Sequence, residues 1–405
     1  MTPVLQLLLL LAVLIAAAKM LGLASTRIGQ PAVLGELLAG LLFGPSVLNV
    51  LALPFFSDKH LGETVSHLAE IGVILLMFIA GLEVDLGQMR RAGRVVVFSG
   101  LSGIFVPLLM GIAVALPFGY NPVQAAGVGM LLAATSVSIS AQTLLELRVL
   151  RSKEGIALLG AAVVDDVVVI LLLSIMLALT GGTGAGLVGI LWLIGRMILY
   201  LALFGVLGRF LIPWLLTRIN RWPISQGLLA AIVVIAFIFA WAAEVVGGIA
   251  MITGAFLAGI FAARTGFHRP ILEGVSALTY GFFVPIFFAN IGLHADLGAL
   301  RGNLVWLALI IVIVAIVSKI VGCSLGAWAG GFGRAEALRL GVGMISRGEV
   351  GLIVATLVVN NGLVPPDVIT VAVLMVIVTT LATPPLLRMA FRGRGEGMAT
   401  AAVGD

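Results

Sequence analysis

The chain has 405 residues, 61% of them hydrophobic and 10% charged. A soluble domain carries roughly a quarter charged residues, so a water-soluble globular class is excluded. The apolar runs are continuous and span-length rather than alternating, which excludes a transmembrane β-barrel. The net charge of +5 is not the footprint of a nucleic-acid binder, because the positive residues fall in alternate loops.

The remaining class is an all-α polytopic membrane protein. A helix needs about 20 residues to cross the ~30 Å hydrocarbon layer and satisfies its own backbone there. About 13 apolar segments follow one another, broken by Gly/Pro turns and small charge clusters. They centre near Leu11, Ala39, Leu75, Leu108, Leu132, Val168, Leu201, Val234, Phe256, Val284, Val314, Gly348 and Met375. The first, residues 1–24, lacks a positive n-region and carries Lys19 late, so it reads as a retained span. Glu36 in the second segment, and Glu83 and Asp85 at the end of the third, read as interfacial. Segment seven is long and contains Arg196 and Arg209. The single cysteine, Cys323, lies in an apolar segment; it reads as packing and allows no disulfide framework. Residues 393–405 read as a short disordered tail.

Loop charge gives an orientation. Lys and Arg cluster after odd-numbered segments, as in Arg90, Arg91 and Arg94, or Arg148, Arg151 and Lys153; only Lys59 and Arg301 follow even-numbered ones. The positive-inside rule then places the N-terminus outside and the C-terminus in the cytoplasm of a cell inner (plasma) membrane.

Segments five and twelve are interrupted by small and polar residues. The fifth contains Ala133-Ala134-Thr135-Ser136-Val137-Ser138, and the twelfth contains Gly341-Val342-Gly343-Met344-Ile345-Ser346-Arg347-Gly348-Glu349. They lie an odd number of spans apart and so run in opposite directions. Paired interrupted helices in inverted repeats point to a transporter's binding site, although small residues at helix contacts give the same pattern.

Ionisable groups inside hydrocarbon cost upward of about 2.5 kcal/mol each and mark function. Asp165 and Asp166 sit mid-span in Ala161-Ala162-Val163-Val164-Asp165-Asp166-Val167-Val168. Carboxylate oxygens suit a hard cation such as sodium, and a site that holds either a cation or protons suffices for exchange. Lys319, in Val317-Ser318-Lys319-Ile320, lies too deep for easy snorkelling, and an aspartate is its expected partner. Arg347 and Glu349 either pair with each other or neutralise freed helix ends; this structural role is favoured over the alternative of direct ion binding. Thr135 and Ser136 either line an ion path or bond back to their own backbone. The histidines (His60, His67, His268, His294) fall in loops or near span ends, which argues against an intramembrane protease or a His-rich metal site.

With these residues in view, the sequence resembles the cation:proton antiporter-2 family, in particular its NapA-like sodium/proton antiporters with the NhaA-type fold. The marks run along nearly the whole chain: Gln30-Pro31, Gly35-Glu36, Ala39-Gly40, Gly44-Pro45, Gly81-Leu82-Glu83-Val84-Asp85, Asp165-Asp166, Lys319 and Ser346-Arg347-Gly348-Glu349. The resemblance implies two crossed broken helices and a homodimer that works as an elevator. Residues 1–92 and 223–300 would supply dimerisation helices, 93–182 and 301–392 the core, 183–222 a linking helix and 393–405 a cytoplasmic tail. It further implies that Asp166 binds the sodium ion, that Asp165 pairs with Lys319, and that Thr135 and Ser136 line the site. Arg347 and Glu349 match the polar pair of the second broken helix. No organic cofactor is implied, and the chain is expected to be a secondary transporter rather than an enzyme. Sodium (or lithium) for proton exchange, electrogenic as the double aspartate with lysine implies by the resemblance, is the leading expectation. Potassium for proton exchange is the alternative, because carboxylates alone do not set selectivity. A channel ranks lower, since no filter-like repeat is present.

Overall fold

In a computed structural model of the chain, the described residues are 2–28, 30–83, 91–179, 186–223, 225–293, 303–365 and 368–392. Asp85, His294 and the 393–405 tail lie outside them, as does the side chain of Glu349. All regular structure among the described residues is helical. Among the described residues ten stretches are long and apolar enough to cross a membrane, and two shorter apolar helices accompany them, Ala32–Phe43 and Met251–Ala262. With the helix interrupted near Gly348, these account for the segments expected from the sequence.

The chain divides into two compact units. The first comprises Met1–Lys59, Gln88–Val169 and Phe288–Asp405. It holds α1 (Pro3–Arg27), α2 (Ala32–Phe43), α4 (Gly93–Ala115), α5 (Pro122–Ala133), α6 (Ser138–Glu146) and most of α7 (Lys153–Leu179), the helix α3 (Leu61–Leu82) belonging elsewhere. Its later helices are the end of α12 (Val284–Leu293), then α13 (Asn303–Ala329), α14 (Arg334–Gly343), α15 (Glu349–Asn360) and α16 (Val368–Ala390).

Helix starts in this unit follow local chemistry. Asn121 and Gln124 form a reciprocal capping box, at 2.9 and 3.0 Å, ahead of Pro122 in the first turn of α5. Glu336 accepts the Gly333 N–H at 3.1 Å and so caps α14.

Close packing in a bilayer has no hydrophobic drive between helices and relies on small residues. The stripe Gly322 and Gly326 on α13, continued by Gly330 just past its end, lies against Ser102, Phe98 and Val95 of α4, so close that a Cβ at any of them would strike those residues. Ser102 adds a hydrogen bond to the Gly322 carbonyl at 2.7 Å. Val164 of α7 rests on Gly100 of α4, and Val96 of α4 on Gly160 of α7. Helices α4, α7 and α13 are thereby held at backbone-contact range, and two of them carry the buried Asp165, Asp166 and Lys319.

Glu36, expected at the interface, is in addition covered by its neighbour. It is buried and pairs with Lys19 at 2.8 Å. Gly35 meets the Leu21 backbone directly, which draws α2 onto α1 and closes Glu36 in. Hydropathy places a residue by depth along its own helix and is blind to a neighbour covering it.

The second unit comprises His60–Gly87 and Ile170–Phe287. It holds α3, the end of α7, α8 (Gly186–Ile219), α9 (Gly227–Ala242), α10 (Met251–Ala262), α11 (His268–Leu278) and the start of α12. Gly81 of α3 and Gly259 of α10 pack against the Phe256 and Phe78 carbonyls, a bare-backbone crossing. The hydroxyl of Tyr200 on α8 donates to the Phe239 carbonyl at 3.1 Å. Single π-helical turns, Ala243–Gly247 and Thr279–Phe283, interrupt the helices around them. Arg196 reaches the first of these turns and donates to the Val246 carbonyl at 2.8 Å. That contact satisfies a carbonyl the irregular turn leaves free.

Candidate functional site: a buried charge cluster beside two interrupted helices

Both interruptions expected from the sequence are real breaks. Residues 134–137 separate α5 from α6, and residues 344–348 separate α14 from α15. A helix broken inside a membrane frees backbone groups that must find partners without water. Here the breaks supply each other. The Ser136 N–H donates to the Ser346 carbonyl at 3.0 Å, and the Ser346 hydroxyl donates to the Ser136 carbonyl. Ser140 donates to the Gly343 carbonyl at 2.5 Å and lies 3.1 Å from the Ser346 hydroxyl. Gly348 makes the approach possible, since a Cβ there would stand 2.7 Å from the Ser136 hydroxyl oxygen.

Helices α5 and α14 both end at this meeting point, so two sets of terminal carbonyls, each a partial negative charge, gather there. Arg347 answers them. Its guanidinium donates to the Leu132 carbonyl at 2.6 Å and the Ile345 carbonyl at 2.9 Å. Longer contacts run to the carbonyls of Met344 and Ala315, both at 3.4 Å. Its side chain is fully buried. These contacts are those expected of a group that neutralises freed helix ends. Thr379 and Thr380 of α16 complete the clamp: the Arg347 N–H donates to Thr379 Oγ1 at 3.3 Å, and the Thr380 hydroxyl donates to the Arg347 carbonyl at 2.6 Å.

Asp165 and Asp166 occupy the middle of α7, and Lys319 the middle of α13. Lys319 Nζ lies 2.9 Å from Asp165 Oδ1, with the two side chains 0% and 1% exposed. The expected aspartate partner is therefore present and the snorkelling alternative is ruled out. Lys319 owes its position to the glycine stripe that starts three residues on, at Gly322. Gly103 of α4 makes room for the next turn of α13: a Cβ there would strike Cys323 Sγ, while standing at an ordinary 3.7 Å from Lys319 Nζ. Cys323, one turn beyond, is fully buried against Gly103, as packing requires. Asp165 Oδ2 is buried with no hydrogen-bond partner among the described residues. Asp166 follows about 100° round the helix and is 6% exposed.

Thr135 and Ser136 are buried at the first break. Thr135 makes a long bond to the Ala133 carbonyl at 3.4 Å, and the Ser136 hydroxyl lies 2.9 Å from that of Ser138. Sequence reasoning missed Ser140, Thr379 and Thr380 as members of this network. The hydroxyl-rich runs Ser136-Val137-Ser138-Ile139-Ser140 and Thr379-Thr380 inside apolar spans were the available signal. It also missed the carboxylate of Glu146, which ends α6 and receives the Ala32 and Val33 N–H groups of α2 at 2.5 and 3.2 Å.

Among the described residues no cluster of His, Cys, Asp and Glu is built to hold a metal ion as a fixed ligand set. What the arrangement offers is a mid-membrane carboxylate pair, one member bound to a lysine, in a unit whose neighbouring helices are broken and neutralised.

The family model described as "Sodium/hydrogen exchanger, transmembrane" matches residues 9–391. The chain belongs to the sodium/hydrogen exchanger family. Within it, the chain is 35% identical to the Na(+)/H(+)-K(+) antiporter GerN of Bacillus cereus, over 96% of this chain and 97% of that one. It is 34% identical to the Na(+)/H(+) antiporter of Enterococcus hirae, over 90% and 92%. Among solved structures, the sodium proton antiporter MjNhaP1 of Methanocaldococcus jannaschii superposes with a TM-score of 0.71 over 100% of both chains, at 16% identity. That likeness is one of fold, and it gives this exchanger the helical architecture of a known antiporter.

Proposed function

We propose that this member of the exchanger family trades sodium, or lithium, for protons across the membrane, with Asp166 as the carboxylate that takes either ion. The observation that carries the reading is the fully buried Lys319–Asp165 pair with a second buried carboxylate next to it. Neither packing nor catalysis needs that set, and an ion-coupled exchanger does. Thr135 and Ser136 supply further oxygens toward the sodium ion, while Arg347 and Glu349 hold the second break.

Exchange is a competition. In the proton-loaded state Asp166 carries a proton and Lys319 is charged against Asp165. An arriving sodium ion displaces the Asp166 proton, and its positive charge weakens the hold of Asp165 on Lys319. The ammonium proton then leaves as well. A proton from each residue departs for every sodium that binds, so net charge moves and exchange is electrogenic. No bound organic cofactor enters the cycle.

In this reading the protein works as a homodimer in the cell's inner membrane, its N-terminus outside and its C-terminus cytoplasmic. Residues 93–182 and 301–392 move as an elevator past dimerisation helices from 1–92 and 223–300, linked through 183–222. That division concerns which helices travel together, a different question from grouping by contact.

A second reading, potassium for proton exchange at the same carboxylates, is favoured by the potassium in the printed name of the Bacillus cereus relative. One assay separates them: dissipation of a preset pH gradient in proteoliposomes by sodium, lithium or potassium, for wild type and Asp166→Asn. Collapse by sodium and lithium with a silent variant is the expected result. Collapse by potassium alone moves the substrate to the second reading, and a fully active Asp166→Asn removes the site assignment.

A further inference from the structure

Away from Asp166, a second set of buried oxygens lies in the first unit, where α2 meets α1 and α6. Glu36 and Gln142 are 3% and 5% exposed. Glu36 Oε1 accepts from Lys19 at 2.8 Å, and the Gln142 amide donates to Glu146 Oε1 at 2.8 Å. Their other oxygens, Glu36 Oε2 and Gln142 Oε1, are buried with no hydrogen-bond partner among the described residues. Helix periodicity gathers them. Glu146 caps the first turn of α2 at Ala32 and Val33, and Glu36 follows Ala32 by one turn on the same face. Gln142 precedes Glu146 by one turn on α6. The two carboxylates are close enough to repel each other. A third buried, unpartnered oxygen, Gln30 Oε1, belongs to the chain that leads into α2.

We propose that this junction is a second cation site, separate from Asp166, which binds one monovalent cation such as sodium between Glu36 Oε2, Gln142 Oε1 and the Glu146 carboxylate. Carboxylate and amide oxygens suit a hard cation. Lys19 is 47% exposed, so the junction opens to water on its lysine side and an ion can enter there. Such a site does not depend on which ion Asp166 exchanges.

Charge sets the valence of the occupant. Two carboxylates face one ammonium, Lys19, the only cationic side chain among the described residues whose charge acts on either of them. The positive start of α2 and the negative end of α6 meet at Glu146 and offset each other. The junction is therefore one positive charge short. A sodium ion balances it. A divalent ion overshoots, and the described residues supply no third carboxylate for it. A proton balances the charge as well, but it joins two oxygens at most, whereas a cation takes several, and Glu146 extends the set beyond Glu36 and Gln142.

The test is the thermal unfolding midpoint of the full chain in detergent as sodium chloride replaces choline chloride. Ionic strength stays constant, so screening does not change, and a ligand of the folded state raises the midpoint. Asp166→Asn is the background, because it removes the exchanging carboxylate. Sodium is expected to stabilise this variant still. Adding Glu36→Gln should abolish the rise. Adding Gln142→Leu instead should increase the sodium concentration required roughly tenfold, the worth of one polar contact to an ion. Lys19→Gln in the same background moves the other way: it frees the second Glu36 oxygen and removes a like charge, so less sodium suffices. Damage to the fold cannot produce that tightening, which keeps the question answerable should Glu36→Gln aggregate. Loss of the whole sodium response in Asp166→Asn overturns the proposal and leaves the exchange reading intact. An equal response with and without Glu36→Gln, an unchanged or weaker one in Lys19→Gln, or stabilisation by calcium in preference to sodium overturns it too. A midpoint that ignores sodium and follows pH through Glu36 gives the junction to a proton instead. If wild type and Asp166→Asn respond alike and Glu36→Gln removes the response, the junction stands and Asp166 loses its assignment.

Discussion

A lysine and an aspartate with essentially no solvent contact, 2.9 Å apart, are stable only as a pair. Removing one partner from a buried ion pair typically costs about 3–5 kcal/mol, while replacing both with neutral groups costs far less. Lys319→Met is therefore expected to lower the thermal unfolding midpoint sharply, and Lys319→Met combined with Asp165→Asn to recover much of it. Equal destabilisation of the single and double variants, read by thermal unfolding in detergent, would place the cost elsewhere. Arg347 makes a different kind of argument. Its fork reaches carbonyls on both sides of the helix meeting point, and a lysine is a point charge without that geometry. Arg347→Lys is expected to unfold earlier than wild type by about 1–3 kcal/mol, the cost of buried acceptors left unsatisfied; an unchanged midpoint would show that the carbonyls find other donors.

At the scale of helices, position is set by glycine. The α13 stripe brings its backbone onto α4, and Lys319 rides on that contact about two turns from Gly326. Gly326→Leu would drive a side chain into the Ser102 hydroxyl and the Phe98 carbonyl, push α13 outward and carry Lys319 away from Asp165. Overpacking of this kind costs about 1–3 kcal/mol, and cation-driven proton flux should fall with it. Gly205→Leu on α8 is the control, since a Cβ there meets nothing within 4 Å. Equal loss of flux in both variants would mean that bulk, not the α4–α13 approach, is what matters. The breaks follow the same rule, because Gly348 lets Ser136 and Ser346 exchange hydrogen bonds that an unbroken helix would have made internally.

At the scale of the whole molecule, the charge carried per cycle distinguishes the proposed exchange from an electroneutral one. With a proton leaving both Asp166 and Lys319 for each sodium, a membrane potential imposed by potassium and valinomycin should change the initial rate of sodium-driven proton flux in proteoliposomes. Lys319→Met, if active, should lose that voltage response. A wild-type rate indifferent to voltage would remove Lys319 from the proton count and leave Asp166 as the lone carrier.

Much of this protein is determined by the sequence alone. Sustained apolar runs permit only spanning helices, so the number and order of segments follow from hydropathy. Charges inside such runs are costly enough that Asp165, Asp166, Lys319 and Arg347 identify themselves. The tertiary structure decided which charges meet. Nothing in the spacing of Asp165 and Lys319, 154 positions apart, says that they touch; the glycine contacts of α4 with α7 and α13 do. Only the fold shows that Arg347 faces the carbonyls of two helix ends, that Glu36 is closed in by α1, and that Thr379 and Thr380 reach the second break. Burial energy depends on a residue's own chemistry and is legible one position at a time. Pairing depends on which backbones can approach, and that is settled only when the helices pack.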